Sequence, residues 1–170
     1  MVWGCITHRG RGPLVFIEEG IKINQSNYVE MLQEHLIPWA KKVFGWDDGT
    51  EEYEVEWVYQ QDSAPSHKAK ETQRWLRENV PDFITVLDWP PYSPDLNPLD
   101  YSILGYIKSI ACTKPHESVK SLKKAIRKAW DEMPDEIVKR VMDSWLAASK
   151  RVSMQKEDIL NKFLLLSCFY

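Results

Sequence analysis

The stretch at residues 89–102, "WPPYSPDLNPLDYS", decides how the rest of the chain is read. It holds four prolines, two aspartates and an asparagine, and it runs directly into the helical pattern of "LDYSILGYIKS". Each proline fixes φ and pushes the residue before it towards extended backbone, so this connection is stiff. Stiffness suits a structural turn, and it suits equally one wall of an active site. The second reading requires matching carboxylates on other rigid elements.

Upstream, "FITVLDW" reads as a strand, and "SAPSHKAKETQRWLRENV" as a short turn and a helix, with Ser66 an N-cap and Pro81 just past the end. Before it, "EVEWVYQQD" alternates and is rich in β-branched and aromatic residues, which predicts a strand ending at Asp62. The chain opens with two apolar runs around a Gly- and Arg-rich connection, a β-hairpin signal. In "NQSNYVEMLQEHLIPWAKKVFG", Tyr28, Met31, Leu32, Leu36, Trp39 and Val43 recur at helical spacing, with Asn24 or Ser26 as N-cap and a kink expected at Pro38. The acidic "GWDDGTEEYE" reads as a solvated loop.

Downstream, a helix is expected from about Leu99 to Ala111. Two amphipathic helices follow, the first capped by Ser118 and the two divided by Pro134. The cations of "KSLKKAIRK" read first as a solvated helix face, with phosphate contact as the alternative. The apolar "FLLLSCFY" has no role assigned by its sequence and would be an aggregation hazard if exposed. The element order alternates strand and helix before closing on helices, which argues for an α/β domain over residues 1–150 and a C-terminal tail over 151–170.

Composition narrows the function. A chain of 170 residues, 44% hydrophobic and 12% aromatic, can bury a core. A formal charge of −3, from 22 basic and 25 acidic residues, argues against nucleic-acid binding by bulk charge alone. Three dispersed cysteines suggest neither a disulfide framework nor a zinc site, and a reducing intracellular compartment fits best. No apolar run approaches the roughly 20 residues needed to cross a bilayer, so no membrane partner is expected.

Phosphodiester cleavage needs an activated nucleophile and a stabilised leaving oxygen, which two divalent ions clamped by carboxylates supply. Mg²⁺ takes oxygen ligands, so isolated aspartates at strand ends and helix starts are the signature. Asp62 ends a strand and precedes a turn of small residues, although such an Asp serves turns and caps as well. Of Asp88, Asp95 and Asp100, Asp95 suits an Asx-turn, and Asp100 stands in a first helical turn where the dipole favours a carboxylate. Asp100 is therefore the chosen partner.

The segments "VWGCI", "QQDSAPSH" and "WPPYSPDLNPLDYSILGYIKS", in this order, resemble the DDE/D catalytic domain of Tc1/mariner transposases over about residues 1–109. The resemblance implies that Asp62 and Asp100 are the second and third catalytic, metal-binding carboxylates. The 37 residues between them, and Asp rather than Glu as the third acid, are similar to a mariner-like subgroup. His67 and Asn97 match motif positions as supporting residues, and serve equally as helix-start and turn residues.

The resemblance further implies an RNase H-like mixed sheet flanked by helices, a two-metal site for Mg²⁺ or Mn²⁺, DNA as partner at transposon ends and target, a homo-oligomer, and the nucleus as location. The family's first catalytic Asp belongs to a central strand upstream of "VWG", so the expectation here is an N-terminally truncated domain lacking that strand and weak or inactive in catalysis. The "VWG" and Asp62 strands are then expected to carry open edges, to pair with each other, or to recruit another chain's strand. The alternative expectation is a non-catalytic, transposase-derived DNA- or protein-interaction protein.

Overall fold

A computed structural model describes residues 1–88, 97–149 and 163–169, the last segment as backbone. The opening hairpin forms as expected from strands β1 (Val2–Thr7) and β2 (Gly10–Phe16), antiparallel with a bulge between Gly4 and Ile6. Helix α1 (Gln25–Met31) is capped by Asn24, whose side chain accepts from Asn27 N at 3.0 Å. The expected disturbance at Pro38 takes the form of a π-helical turn, Leu32–Leu36, leading into α2 (Ile37–Phe44). A proline cannot donate into the ladder, and a wider turn ahead of it accommodates the lost bond.

The acidic segment is not simply a loop. It folds into a small hairpin, β3 (Trp46–Asp47) with β4 (Glu52–Tyr53), held by the Trp46 and Tyr53 rings at 4.8 Å and by Lys41 over Trp46. Strand β5 (Val58–Gln60) stops two residues before Asp62. The next helical segment is split at extended Ala69 into α3 (Pro65–Lys68) and α4 (Lys70–Asn79). Ala64 rather than Ser66 precedes α3, because Pro65 occupies the first helical position that suits it.

The strand expected from "FITVLDW" shortens to β6 (Asp82–Phe83). Only Val58↔Asp82 and Tyr59↔Phe83 pair, and a turn closed by Asp88 N on Thr85 O ends the extended run. A π-helical turn, Leu99–Ile103, then opens α5 (Leu104–Ala111), followed by α6 (Val119–Asp131), capped by Ser118, and α7 (Asp135–Ser149). The prolines at 90, 91 and 94 and the Asx-turn expected at Asp95 lie outside the described residues.

The gap expected between the "VWG" and Asp62 strands is filled from the same chain. Strand β7 (Phe163–Phe169) lies antiparallel to β1, from Val2↔Phe169 to Thr7↔Leu164, and parallel to β5, from Val58↔Phe163 to Gln60↔Leu165. The sheet order is β2-β1-β7-β5-β6, so β1 and β5 neither stand open nor pair directly, and the strand between them is not another chain's. Their backbone N–H and C=O groups demand partners, and an uncharged run such as "FLLLSCF" has the composition of a strand enclosed in a sheet.

Helices cover both faces. On one, Trp3, Cys5 and Tyr59 pack with Tyr28, Leu32, Leu36 and Phe44 of the α1–α2 region and Leu76 of α4. On the other, Ile6 and Leu14 meet Leu99, Ile103 and Ile107 with Trp130, Met142 and Trp145. Each large side chain so enclosed contributes roughly 1.5–3 kcal/mol. Gly12 is required by close approach, since a Cβ there would overlap the Cys5 sulfur, and its carbonyl accepts from Trp130 Nε1 at 3.1 Å. Among the described residues no helix is long and apolar enough to cross a membrane.

Candidate active site

The site begins where β5 ends. Asp62 Oδ1 accepts from Ala64 N at 2.9 Å, closing an Asx-turn that aims the chain into α3. The same oxygen lies 2.6 Å from His67 Nδ1, five residues onward in α3. Oδ2 has no hydrogen-bond partner among the described residues. The carboxylate is 32% exposed whereas the imidazole is 3% exposed, so solute reaches the acid from one side while His67 holds it from the other.

Burial acts to raise the Asp62 carboxyl, but the His67 hydrogen bond and charge, the Ala64 N–H and the Lys68 charge outweigh it and hold the group below its ordinary value. The acid is thereby kept ionised, as a metal ligand must be.

A buried polar network that sequence reasoning missed fixes His67. Its ring lies 4.3 Å from the Tyr28 ring, and its carbonyl accepts from Gln61 Nε2 at 3.3 Å and Gln73 Nε2 at 2.9 Å. Tyr28 Oη donates to Gln61 Oε1 at 2.7 Å and lies 2.8 Å from Tyr59 Oη. The one available signal was Gln61 itself, an uncharged polar residue following a strand interior, which must find internal partners if enclosed. His67 Nε2 is buried without a partner among the described residues.

Asp100 is exposed and sits in the first turn of the π-helical segment, where Asn97 Nδ2 donates to its Oδ2 at 2.8 Å. Asn97 is buried, so the supporting residue is anchored while the acid points to solvent. The π-helical segment packs against β7, and β7 pairs with β5, so the elements carrying the two acids are separated by a single strand. Each acid thus has a buried side-chain partner, His67 for Asp62 and Asn97 for Asp100.

Two hard carboxylate oxygens suit a divalent cation that keeps several waters. The set stops there: among the described residues no group of three or more His, Cys, Asp and Glu could hold a metal, and the β7 sequence "FLLLSCF" carries no acid. Asp62 and Asp100 are the candidate oxygen ligands for a divalent ion here.

Comparison with known proteins identifies the family and the fold. The family model of the DDE superfamily endonucleases matches residues 1–123. The Tcb2 transposase of Caenorhabditis briggsae is 26% identical over 147 residues, covering 85% of this chain and 47% of that protein. The Tc3 transposase of Caenorhabditis elegans is 30% identical over 146 residues, covering 85% and 40%. The chain therefore spans about half the length, or less, of the curated relatives it matches.

Among solved structures, the Mos1 transposase catalytic domain with raltegravir and Mn superimposes with a TM-score of 0.68 at 20% identity, covering 88% of this chain and 74% of that one. The Mos1 paired-end complex with the left transposon end gives 0.68 at 22%, covering 94% and 43%. At such identity the likeness carries the fold, which is RNase H-like. With the family match over most of its length and both acids on the elements described, this chain belongs to the DDE superfamily endonucleases, as a relative of the Tc1/mariner transposases.

Proposed function

We propose that Asp62 and Asp100 are metal-holding carboxylates of a DNA-cleaving site, and that the chain supplies this part of a transposase whose reaction is cleavage at transposon ends followed by strand transfer. The observation that carries the reading is the pairing of each acid with one anchored donor, His67 at 2.6 Å and Asn97 at 2.8 Å, with Asp62 Oδ2 left open. Mos1 has been solved with Mn, with Mg and in complexes with transposon ends, which supports carrying divalent ions and DNA over to this chain. A nuclear location and a homo-oligomer around paired DNA ends belong to the same reading.

A bound divalent ion supplies a lowered pKa to the attacking water and neutralises charge developing on the phosphate. The chain's own part is positioning. Asp62 is held ionised with one oxygen outward, His67 fixes its rotamer from the buried side, and Asn97 orients Asp100. Water attacks the phosphorus and the DNA 3′ oxygen leaves; that 3′ hydroxyl then attacks a target phosphodiester. A second reading is a non-catalytic DNA- or protein-interaction role, since among the described residues no group of three or more His, Cys, Asp and Glu could hold a metal.

Mn²⁺ titration followed by electron paramagnetic resonance tests the first reading. Asp62→Ala and Asp100→Ala each abolish saturable binding, and His67→Gln, acting through Asp62, weakens it by about 10–100-fold. Identical Mn²⁺ isotherms for the wild type and both alanine variants would refute it.

A further inference from the structure

The charge of this protein is distributed unevenly. Residues 108–128 contain seven Lys and Arg and a single carboxylate, Glu117, a net +6, which leaves −9 on the other 149 residues. Helix α6 gathers most of these cations. Its Leu122, Ile126, Ala129 and Trp130 turn inward, towards α5 and β2. Lys120, Lys124, Arg127 and Lys128 are exposed, at the i, i+4, i+7 and i+8 spacing of one helical face.

Among the described residues these cations have little to neutralise them. Among the described residues, Lys128 alone has a carboxylate at ion-pair distance, Glu132 at 3.9 Å, and both side chains are about 70% exposed, where such a pair is worth little. Arg127 is additionally steadied over the Phe16 ring at 5.2 Å, as Lys123 is at 5.7 Å, which fixes part of the row to the sheet. A solvated face that serves only solubility would be expected to interleave both signs. This one faces solvent with one sign, on a protein that is otherwise acidic.

We propose that the outer face of α6 is a phosphate-backbone contact for duplex DNA. From Lys120 to Lys128 the row is about 12 Å long at 1.5 Å per residue. That spans about three to four phosphate steps of one strand at 3.4 Å of axial rise each. Contacts of this kind position a duplex without reading its sequence. The surface lies on the β2 side of the sheet, with β1 and β7 between β2 and the strand that leads to Asp62. It would hold DNA flanking the reacting bond rather than the bond itself. The inference rests on DNA being the partner, as proposed above, and on none of the residues assigned to the metal.

The test is duplex binding in EDTA by fluorescence anisotropy, with a 30-base-pair probe across a salt series, so that neither metal binding nor cleavage enters. The variant Lys120→Gln/Lys124→Gln/Lys128→Gln changes exposed positions only. A control, Lys42→Gln/Lys70→Gln/Lys139→Gln, makes the same change of net charge at exposed sites elsewhere. Removing three phosphate contacts lowers the slope of log K against log salt by about 2.7. Between 50 and 200 mM salt the wild type then loses about 40-fold more affinity than the α6 variant. The control retains the wild-type slope.

Equal slopes for wild type and α6 variant, an equal loss in the control, or no duplex binding by the wild type would each overturn the proposal. So would a loss confined to anionic lipid vesicles run in parallel. The metal assignment is read by Mn²⁺ titration and this surface by binding in EDTA, so a failure of the one and a failure of the other give different results.

Discussion

Replacing Leu165 by proline tests whether the C-terminal strand occupies the middle of the sheet. Leu165 lies opposite Ile6 on β1 and Gln60 on β5, so its backbone is flanked by strands on both sides. Proline removes the N–H and leaves a neighbouring carbonyl unpaired inside the sheet, at about 1–3 kcal/mol. The ring must also enter a gap of roughly 4.8 Å between strands, which adds to that cost. The chain already contains a comparison: Pro13 lies in β2, the edge strand, where a missing donor can face outward. At about 2–4 °C per kcal/mol for a domain of this size, Leu165→Pro lowers the midpoint by between about 2 and 12 °C.

Thermal circular dichroism measures the shift, and hydrogen exchange read by mass spectrometry locates it. Peptides covering Val2–Thr7 and Val58–Gln60 lose protection in the variant, because those are the strands that β7 joins. A midpoint within about 1 °C of wild type, with unchanged exchange in both peptides, would show that β7 does not fill this position.

Gly12→Ala places a methyl group against the Cys5 sulfur and the Trp39 ring, an overpacking of about 1–3 kcal/mol, and its denaturant midpoint falls with an unchanged slope; a midpoint equal to wild type would contradict the close approach. Burial pushes the Cys5 thiol well above its ordinary value by disfavouring the thiolate, whereas Cys112 is exposed. Iodoacetamide at mildly alkaline pH therefore labels Cys112 and spares Cys5 until denaturant is added, and equal labelling in peptide maps of the folded protein would refute this.

What could be read from the sequence was local. The alternating opening hairpin, the caps at Asn24 and Ser118, and the inward faces of α6 and α7 depend on spacing within a dozen residues. The β3–β4 hairpin escaped because two-residue strands have no period, and its order comes from Trp46 on Tyr53 and Lys41 on Trp46. The place of β7 escaped because pairing of Thr7 with Leu164 is a fact about distant segments, which composition alone cannot fix. The places of Asp62 just past a strand and of Asp100 in a first helical turn were legible through their motifs. Tyr28 and Gln73 were not, since each sits in an ordinary helical pattern and shows its role only when folded against His67.

Asp62 has a geometry that accommodates both roles sequence alone left open, a turn residue and the ligand proposed above. The two roles fall on different atoms. Oδ1 closes the turn through Ala64 N and meets His67, and Oδ2 is left open with the carboxylate still ionised. The turn is therefore the means by which the acid is aimed: the backbone leaving β5 must bend sharply into α3, and the group that bends it is locked in one rotamer. His67, set five residues later in α3 and packed on Tyr28, completes the lock from the buried side. Asp100 repeats the arrangement with Asn97 three residues before it. In both cases the supporting donor is buried and the acid is more exposed, so the orientation of each carboxylate is fixed by the fold before any ion arrives.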